Sequence, residues 1–109
     1  MNPAEIKTLL DAGESSRIEF KSGAFHNESL AKEIVAFANM RGGQILVGVE
    51  DDGSVSGIEE PAKLIERVIH ICRNNILPPL IPDLAVIHYS DYKILVITVE
   101  KGQAKPYKV

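Results

Sequence analysis

The segment Glu33–Gly57 constrains the fold more than any other part of the chain. It reads EIVAFANMRGGQILVGVEDDGSVSG, and only a glycine pair separates its helical pattern from its strand pattern. Glycine enters the left-handed conformation that ends many helices without a Cβ clash, so Gly42 and Gly43 predict a helix end followed at once by a strand. The β-branched run Gln44–Val49 fits this strand, and Gly48 within it indicates close approach of another part of the chain.

Three carboxylates follow the predicted strand. Glu50, Asp51 and Asp52 precede Gly53, and an Asp-Gly pair between strand-like runs is typical of a hairpin turn. Either these acids only build the turn, or they also bind a divalent cation through oxygen ligands. The acidic end of the strand is therefore the first candidate for chemistry.

Alternating charged and apolar residues predict another strand shortly before this segment. Ile18 and Phe20 then point into the core, while Arg17, Glu19 and Lys21 share the opposite face. Two interpretations of this charged face stay open. It is either a solvated face of an antiparallel sheet or a functional surface.

Helical spacing predicts three helices: a short one ended by Gly13, one capped by Asn27 and ended by Gly42, and one that begins at Pro61. Two β-rich runs separated by Ser90-Asp91 predict a hairpin. The order of the elements predicts a single α+β domain with a mixed sheet of about four to five strands. Two main helices are expected on one face of the sheet, and the short N-terminal helix is expected to pack over one end of the sheet.

Composition restricts the classes of function. The 109 residues suffice for one domain, and the net charge of −3 differs from that of a strongly basic nucleic-acid binder, although basic residues can still be segregated on one surface. No apolar run approaches the roughly 20 residues of a membrane helix, and no targeting segment is present, so we expect a cytoplasmic location without membrane contact. The glycine pair lacks the Lys-Ser/Thr of a phosphate-binding loop, which argues against an ATPase.

Several ordered motifs make the chain resemble a known family. The segments ESSRIEFK (14–21), AFANMRGG (36–43), GVEDDGSVSG (48–57) and G-x-x-KPY (102–107) are similar to the AlbA-like DNA-binding domain of the Schlafen type. This domain is shared by Schlafen proteins and by many bacterial transcriptional regulators formerly described as divergent AAA-type ATPases. The motif residues that carry the resemblance most clearly are Asn39, Gly42, Gly43, Gly48, Gly53 and Gly57.

In similar chains the domain continues for another strand and is followed by regulatory domains. Residues 1–109 are therefore expected to be the N-terminal fragment of a longer protein. No predicted element closes the segment 101–107 against the sheet, which agrees with this expectation.

The resemblance implies binding of DNA, or of RNA, by a domain of a bacterial transcriptional regulator. Such binding requires no cofactor. The candidate nucleic-acid-binding residues are cations that lie in or near the segments carrying the resemblance: Arg17, Lys21, Arg41, Lys101 and Lys105.

A second function implied by the resemblance is that of a metal-dependent endoribonuclease. Some Schlafen relatives cut RNA with two glutamates and an aspartate that hold a divalent metal. The glutamates correspond to Glu14 and Glu19, and the third acid falls on Glu50, with Asp51 beside it. Glu14, Glu19 and Glu50 would then bind Mg²⁺ or Mn²⁺, with Asp51 as the alternative catalytic acid. The longer glutamate side chain is a departure that octahedral Mg²⁺ tolerates poorly.

The third alternative is a protein-interaction or homo-oligomerising module that keeps the fold without a nucleic-acid site. The acidic isoelectric point of about 5.6 favours this interpretation. The sequence leaves the three functions open, and with them the question whether the protein is an enzyme.

Overall fold

A computed structural model of the chain describes residues 1–103 and 106–109. The helices in this part of the chain are α1 (Pro3–Ala12), α2 (Asn27–Asn39) and α3 (Pro61–Asn74). The strands are β1 (Ile18–Lys21), β2 (Gly43–Val47), β3 (Asp83–Tyr89) and β4 (Tyr92–Val99).

The strands form one mixed sheet in the order β1-β2-β4-β3. β1 pairs with β2 in parallel, and the other two pairs are antiparallel. The α+β class, the mixed four-stranded sheet and the predicted hairpin across residues 90–91 are confirmed. Of the two interpretations left open for the charged face of β1, the first assumed an antiparallel sheet, whereas α2 connects β1 to a parallel neighbour.

Apolar side chains cover both faces of the sheet. Ile45 and Val47 of β2 belong to the cluster that packs against α2 and α3, whereas Leu46 belongs to a second cluster with Ile6 of α1. The two main helices thus share one face, as predicted. Because β2 and β4 are covered on both sides, their sequences are nearly continuous apolar runs rather than alternating ones.

The helix starts follow local sequence only in part. In α1, the Asn2 side chain accepts a hydrogen bond from the Glu5 amide at 2.9 Å, as a capping residue does. The predicted cap of α2 is wrong, because Asn27 lies inside the helix and residue 26 takes the cap position without a side-chain hydrogen bond. The Asn27 side chain instead accepts a hydrogen bond from Arg67 of α3 at 2.6 Å.

The glycine pair allows β2 to start close to α2 and β4. Gly42 has φ of 80°, and a Cβ there would lie 2.5 Å from the Val99 carbonyl oxygen. A Cβ on Gly43 would lie 2.5 Å from the Phe37 ring. Both positions therefore exclude larger residues, for conformational reasons at the first and for steric reasons at both.

β2 ends at Val47, so Gly48 follows the strand instead of lying within it as the predicted run Gln44–Val49 implied. Its φ is 105°, and a Cβ there would lie 3.0 Å from the carbonyl carbon of Gly57. The amides of Ser56 and Gly57 both donate to the Gly48 carbonyl. The close approach predicted from Gly48 is therefore made by the returning arm of the hairpin that contains Gly53.

The C-terminal segment is attached to the domain, contrary to the expectation that nothing closes it. The Asn39 side chain donates to the Tyr107 carbonyl at 3.0 Å and accepts from the Tyr107 amide at 2.7 Å. Leu77 and Lys108 exchange two backbone hydrogen bonds of 2.8 Å. The role of Asn39 in its motif is thus to hold this segment at the end of α2.

Candidate nucleic-acid interface

Three of the predicted nucleic-acid-binding residues meet at one end of the sheet. Arg17 precedes β1, Arg41 precedes β2 and Lys101 follows β4. Parallel pairing brings the starts of β1 and β2 together, and antiparallel pairing places the end of β4 beside them, with Gly43 opposite Val99. Sheet topology, rather than proximity in sequence, therefore assembles the cations.

These three cations line a surface cavity of about 380 Å³, which we call the basic pocket. The Arg17 guanidinium donates to the Arg41 carbonyl at 3.1 Å, which fixes the position of Arg17. Arg17, Arg41 and Lys101 are exposed, and the ion pairs seen in residues 1–103 and 106–109 involve other side chains. Glu100 is the carboxylate on the wall of this pocket. The remaining polar side chains of the pocket are Gln44 and Thr98.

The other two predicted cations are not in this pocket. Lys21 lies at the opposite end of β1, where its ammonium contacts Glu33 Oε1 at 2.7 Å and donates to Ser29 Oγ at 2.7 Å. Its side chain is only 14% exposed and is paired with Glu33, so its charge is largely inaccessible to a ligand. Lys105 lies outside the described residues.

Three glutamates form an acidic cluster beside Lys21. Glu19 neighbours both Glu14 and Glu33, and Glu14 Oε2 accepts a hydrogen bond from the Phe20 amide at 3.4 Å. Glu33 Oε1 is buried and makes no hydrogen bond of good geometry to any described residue. The ion pair with Lys21 at 2.7 Å therefore compensates for the burial of this oxygen.

Glu19 is the group in this cluster whose protonation is perturbed. Burial raises the pKa of Glu19 to about 7, and hydrogen bonding and repulsion from Glu33 and Glu14 act in the same direction. Carboxylates that share a small volume cannot all ionise at low cost. Near neutral pH the cluster therefore holds a proton that an isolated glutamate would release.

The two candidates for the third catalytic acid point to different places. Glu50 accepts a hydrogen bond from Ser56 Oγ at 2.5 Å and lines a cavity of about 630 Å³ next to α3. Asp51, Glu19 and Lys21 line an adjacent cavity of about 280 Å³, which shares Ser22 and Ala24 with the first. Asp51, rather than Glu50, thus shares a cavity with the acidic cluster.

The following residues build the hairpin turn. The Gly53 amide donates to the Glu50 carbonyl at 2.9 Å, and the Asp52 carboxylate accepts hydrogen bonds from the Ser54 hydroxyl and amide. These bonds hold the pKa of Asp52 below its usual value. The interpretation of these residues as turn chemistry is confirmed for Asp52.

The acids predicted to hold Mg²⁺ or Mn²⁺ do not converge. Glu14 and Glu19 are neighbours, but Glu50 is bound to Ser56 and lines a different cavity from Glu19. Within residues 1–103 and 106–109, no group of three His, Cys, Asp or Glu side chains is arranged to hold a metal ion. The predicted ligand set therefore does not fit a metal in this arrangement.

Glu33 belongs to the site, although its place in the sequence does not indicate this. Ser29 and Glu33 are four residues apart on α2 and so lie on the same helix face, the one that meets Lys21. The available signal was a pair of polar residues at helical spacing beside an apolar stripe. Its meaning depends on which strand packs against that face, and the sequence does not show this.

Arg67 is a second residue that the sequence did not distinguish. Its guanidinium donates to Asn27 Oδ1 at 2.6 Å and to the Phe25 carbonyl at 2.7 Å, and it lies 4.0 Å from the centre of the Phe25 ring. These contacts fix the loop between β1 and α2, which forms the wall of the cavity that contains Lys21.

Comparisons with known proteins are consistent with the resemblance seen in the sequence. The sequence model of the family described as Schlafen, AlbA_2 matches residues 14–109. One similar solved structure is the N-terminal domain of a protein from Nitrosomonas europaea named as related to the ATP-dependent DNA helicase RecG. It has a TM-score of 0.80 and 25% identity, and the match covers 94% of this chain and 75% of that one.

A second similar structure is the DIP2311 protein from Corynebacterium diphtheriae, with a TM-score of 0.65 and 23% identity. The match covers 95% of this chain but only 22% of that protein, and at this identity it shows the fold alone. No match was found among curated proteins. None of the described helices is long and apolar enough to cross a membrane.

Proposed function

Because the chain belongs to the Schlafen AlbA_2 family, we propose that it is a nucleic-acid-binding domain whose basic pocket contacts the phosphate backbone. The observation that carries this proposal is the meeting of Arg17, Arg41 and Lys101 on one cavity, in a protein with a net charge of −3. When exposed cations without carboxylate partners bind phosphates, they displace the counterions condensed on the nucleic acid. The release of these counterions supplies most of the sequence-independent affinity.

DNA is the nucleic acid that we favour. The resemblance to bacterial transcriptional regulators and the name of the Nitrosomonas europaea protein both point to DNA. A role as the DNA-binding domain of a transcriptional regulator is the more specific form of the proposal. RNA would contact the same cations through the same phosphates, so it is the alternative ligand.

The test is a fluorescence-anisotropy titration with a labelled 20-nucleotide DNA strand and the duplex formed with its complement. Three phosphate contacts predict that the logarithm of the affinity for duplex falls with the logarithm of salt concentration with a slope of roughly −2.7. Arg41→Ala should weaken binding and bring this slope closer to zero by about 1. Lys32→Ala is the matched control, because Lys32 is exposed and paired with Glu28 on α2.

Two results would contradict the proposal. One is the absence of binding of both the strand and the duplex at about 50 mM salt, where electrostatic binding is strong. The other is equal loss of affinity in Arg41→Ala and Lys32→Ala, since a general effect of net charge would then explain binding without the basic pocket.

Ribonuclease activity is a second candidate function, favoured by one observation. Asp51 and Glu19 line the same cavity, so Asp51 is a better match than Glu50 for the third acid. The predicted metal ligands do not converge, so their arrangement supports no catalytic step through a metal. Incubating the protein with structured RNA and Mn²⁺ tests the activity. Asp51→Asn should abolish cleavage, whereas Glu50→Gln should retain it. Equal cleavage by Glu19→Ala and the parent protein would indicate a contaminating nuclease.

Self-association is also a proposal that depends on a direct measurement. Light scattering of the isolated protein gives its mass in solution. A mass equal to one chain, unchanged when DNA is added, would exclude the homo-oligomeric module.

A further inference from the structure

The basic pocket continues into a second cavity across the end of β4. This neighbouring cavity has a volume of about 420 Å³ and shares four consecutive residues, 98–101, with the basic pocket. Its far wall is the segment 79–83 that leads into β3. The two cavities therefore lie side by side, and together we call them the end groove, which extends from Arg17 and Arg41 to this segment.

The far half of the end groove, which we call the apolar half, contains an exposed apolar side chain, although polar residues line it as well. Ile81 is 89% exposed, the highest value among the large hydrophobic side chains described, and it stands between Leu80 and Pro82. Leu80 packs partly against the core, so it fixes the backbone that presents Ile81. Because the neighbouring backbone is anchored, less conformational freedom is lost when a ligand contacts this apolar side chain.

Charges divide the groove into two unequal halves. Arg17 and Arg41 line only the basic half, while Asp83 lines only the apolar half. Glu100 and Lys101 lie at the junction and line both. A phosphate is therefore attracted to the basic half and repelled from the wall near Asp83, so a bound chain would place its less charged groups on the side of Ile81.

We propose that the end groove binds an unpaired nucleic-acid strand, with its phosphates in the basic pocket and its bases against Ile81. This inference rests on the proposed function and adds the form of the ligand. In a duplex the base faces are stacked inside and only edges are accessible, so the apolar half would have no partner. An unpaired strand can turn its bases outward onto a protein surface while its phosphates contact cations.

The experiment uses the anisotropy titration with a labelled 12-nucleotide strand and the blunt duplex containing it, at about 50 mM salt. We expect the strand to bind roughly five- to tenfold more tightly than the duplex. Ile81→Ser should weaken binding of the strand about three- to tenfold and leave binding of the duplex unchanged. Val109→Ser is the matched control, since Val109 is also exposed but does not line the groove.

A second variant tests the same contact by gain of affinity. Ile81→Trp supplies a ring on which a base stacks, and it should strengthen binding of the strand several-fold. Circular dichroism checks that each variant is folded. Because Ile81 is almost fully exposed, neither substitution removes a core contact.

The outcomes separate this inference from the proposed function. Equal binding of strand and duplex, or an unchanged affinity of both Ile81 variants for the strand, would overturn the single-strand groove and leave nucleic-acid binding intact. Absence of binding of either form would overturn the proposed function and this inference with it.

Discussion

Replacing Glu19 by glutamine tests the description of the acidic cluster. Burial, assisted by Glu33 and Glu14, raises the pKa of Glu19 from its ordinary value of 4.5 to about 7. Between these two pH values the folded protein retains a proton that the unfolded chain releases. Because the folded state binds more protons, the free energy of unfolding decreases as pH rises through this interval, and it levels off above pH 7.

The size of this loss follows from the same two values. The difference between 4.5 and about 7 corresponds to at most about 3.4 kcal/mol. Glu19 is partly exposed, so solvent screens the repulsion, and we expect only about 1 to 2 kcal/mol. Glutamine keeps the shape and hydrogen-bonding capacity of the side chain but has no charge. Glu19→Gln should therefore be more stable than the parent protein by this amount at pH 8, and equally stable at pH 4.

Urea unfolding followed by circular dichroism between pH 4 and pH 8 measures this difference. Other carboxylates titrate in both proteins, so their contributions largely cancel when the two are compared. Glu59→Gln is the control for loss of one exposed negative charge. A difference between Glu19→Gln and the parent that does not change with pH, or a variant less stable than the parent at pH 8, would refute the account of a crowded carboxylate.

Two further substitutions test how the motif residues support the site. Asn39→Ala removes two hydrogen bonds to the backbone of Tyr107. We expect the free energy of unfolding, measured with urea, to fall by about 1 to 3 kcal/mol. An unchanged urea midpoint would contradict the attachment of the C-terminal segment. Gly43→Ala places a Cβ 2.5 Å from the Phe37 ring, whereas Gly23→Ala makes only a contact of 3.7 Å. Gly43→Ala should lower the free energy of unfolding by about 2 to 3 kcal/mol or prevent folding, and Gly23→Ala should lower it by less than about 1 kcal/mol. Similar urea midpoints for the two variants would show that β2 can move away from α2.

The elements of the fold could be predicted because their signals are local. The glycine pair Gly42 and Gly43 ends a helix by its conformational freedom, Pro61 starts one by its fixed φ, and apolar spacing indicates which side chains face the core. The cap of α2 was predicted wrongly. Asn27 contacts Arg67, which is forty residues away in sequence, and this contact overrides the local preference of Asn27 for the cap position.

The candidate site could be predicted only in part, because it depends on strand order. Arg17, Arg41 and Lys101 were chosen individually as cations in or near the matched segments, but their common pocket exists because β1, β2 and β4 are neighbours in that order. Nothing in the local pattern separates Lys21 from these cations. Its pairing with Glu33 depends on where α2 lies relative to the end of β1, which is a tertiary property of the fold.

The path of a bound strand determines whether the basic pocket and the acidic cluster act on the same ligand. Arg17 and Glu19 are two residues apart along β1, or about 7 Å, so a strand leaving the basic pocket along β1 would bring phosphates to the carboxylates. Those phosphates would be repelled more strongly once Glu19 loses its proton above pH 7. A strand that leaves toward Ile81 does not meet this repulsion. Glu19→Gln should therefore leave the affinity for a single strand at pH 8 unchanged if the end groove is the path, and a several-fold gain in affinity would instead place the ligand along β1.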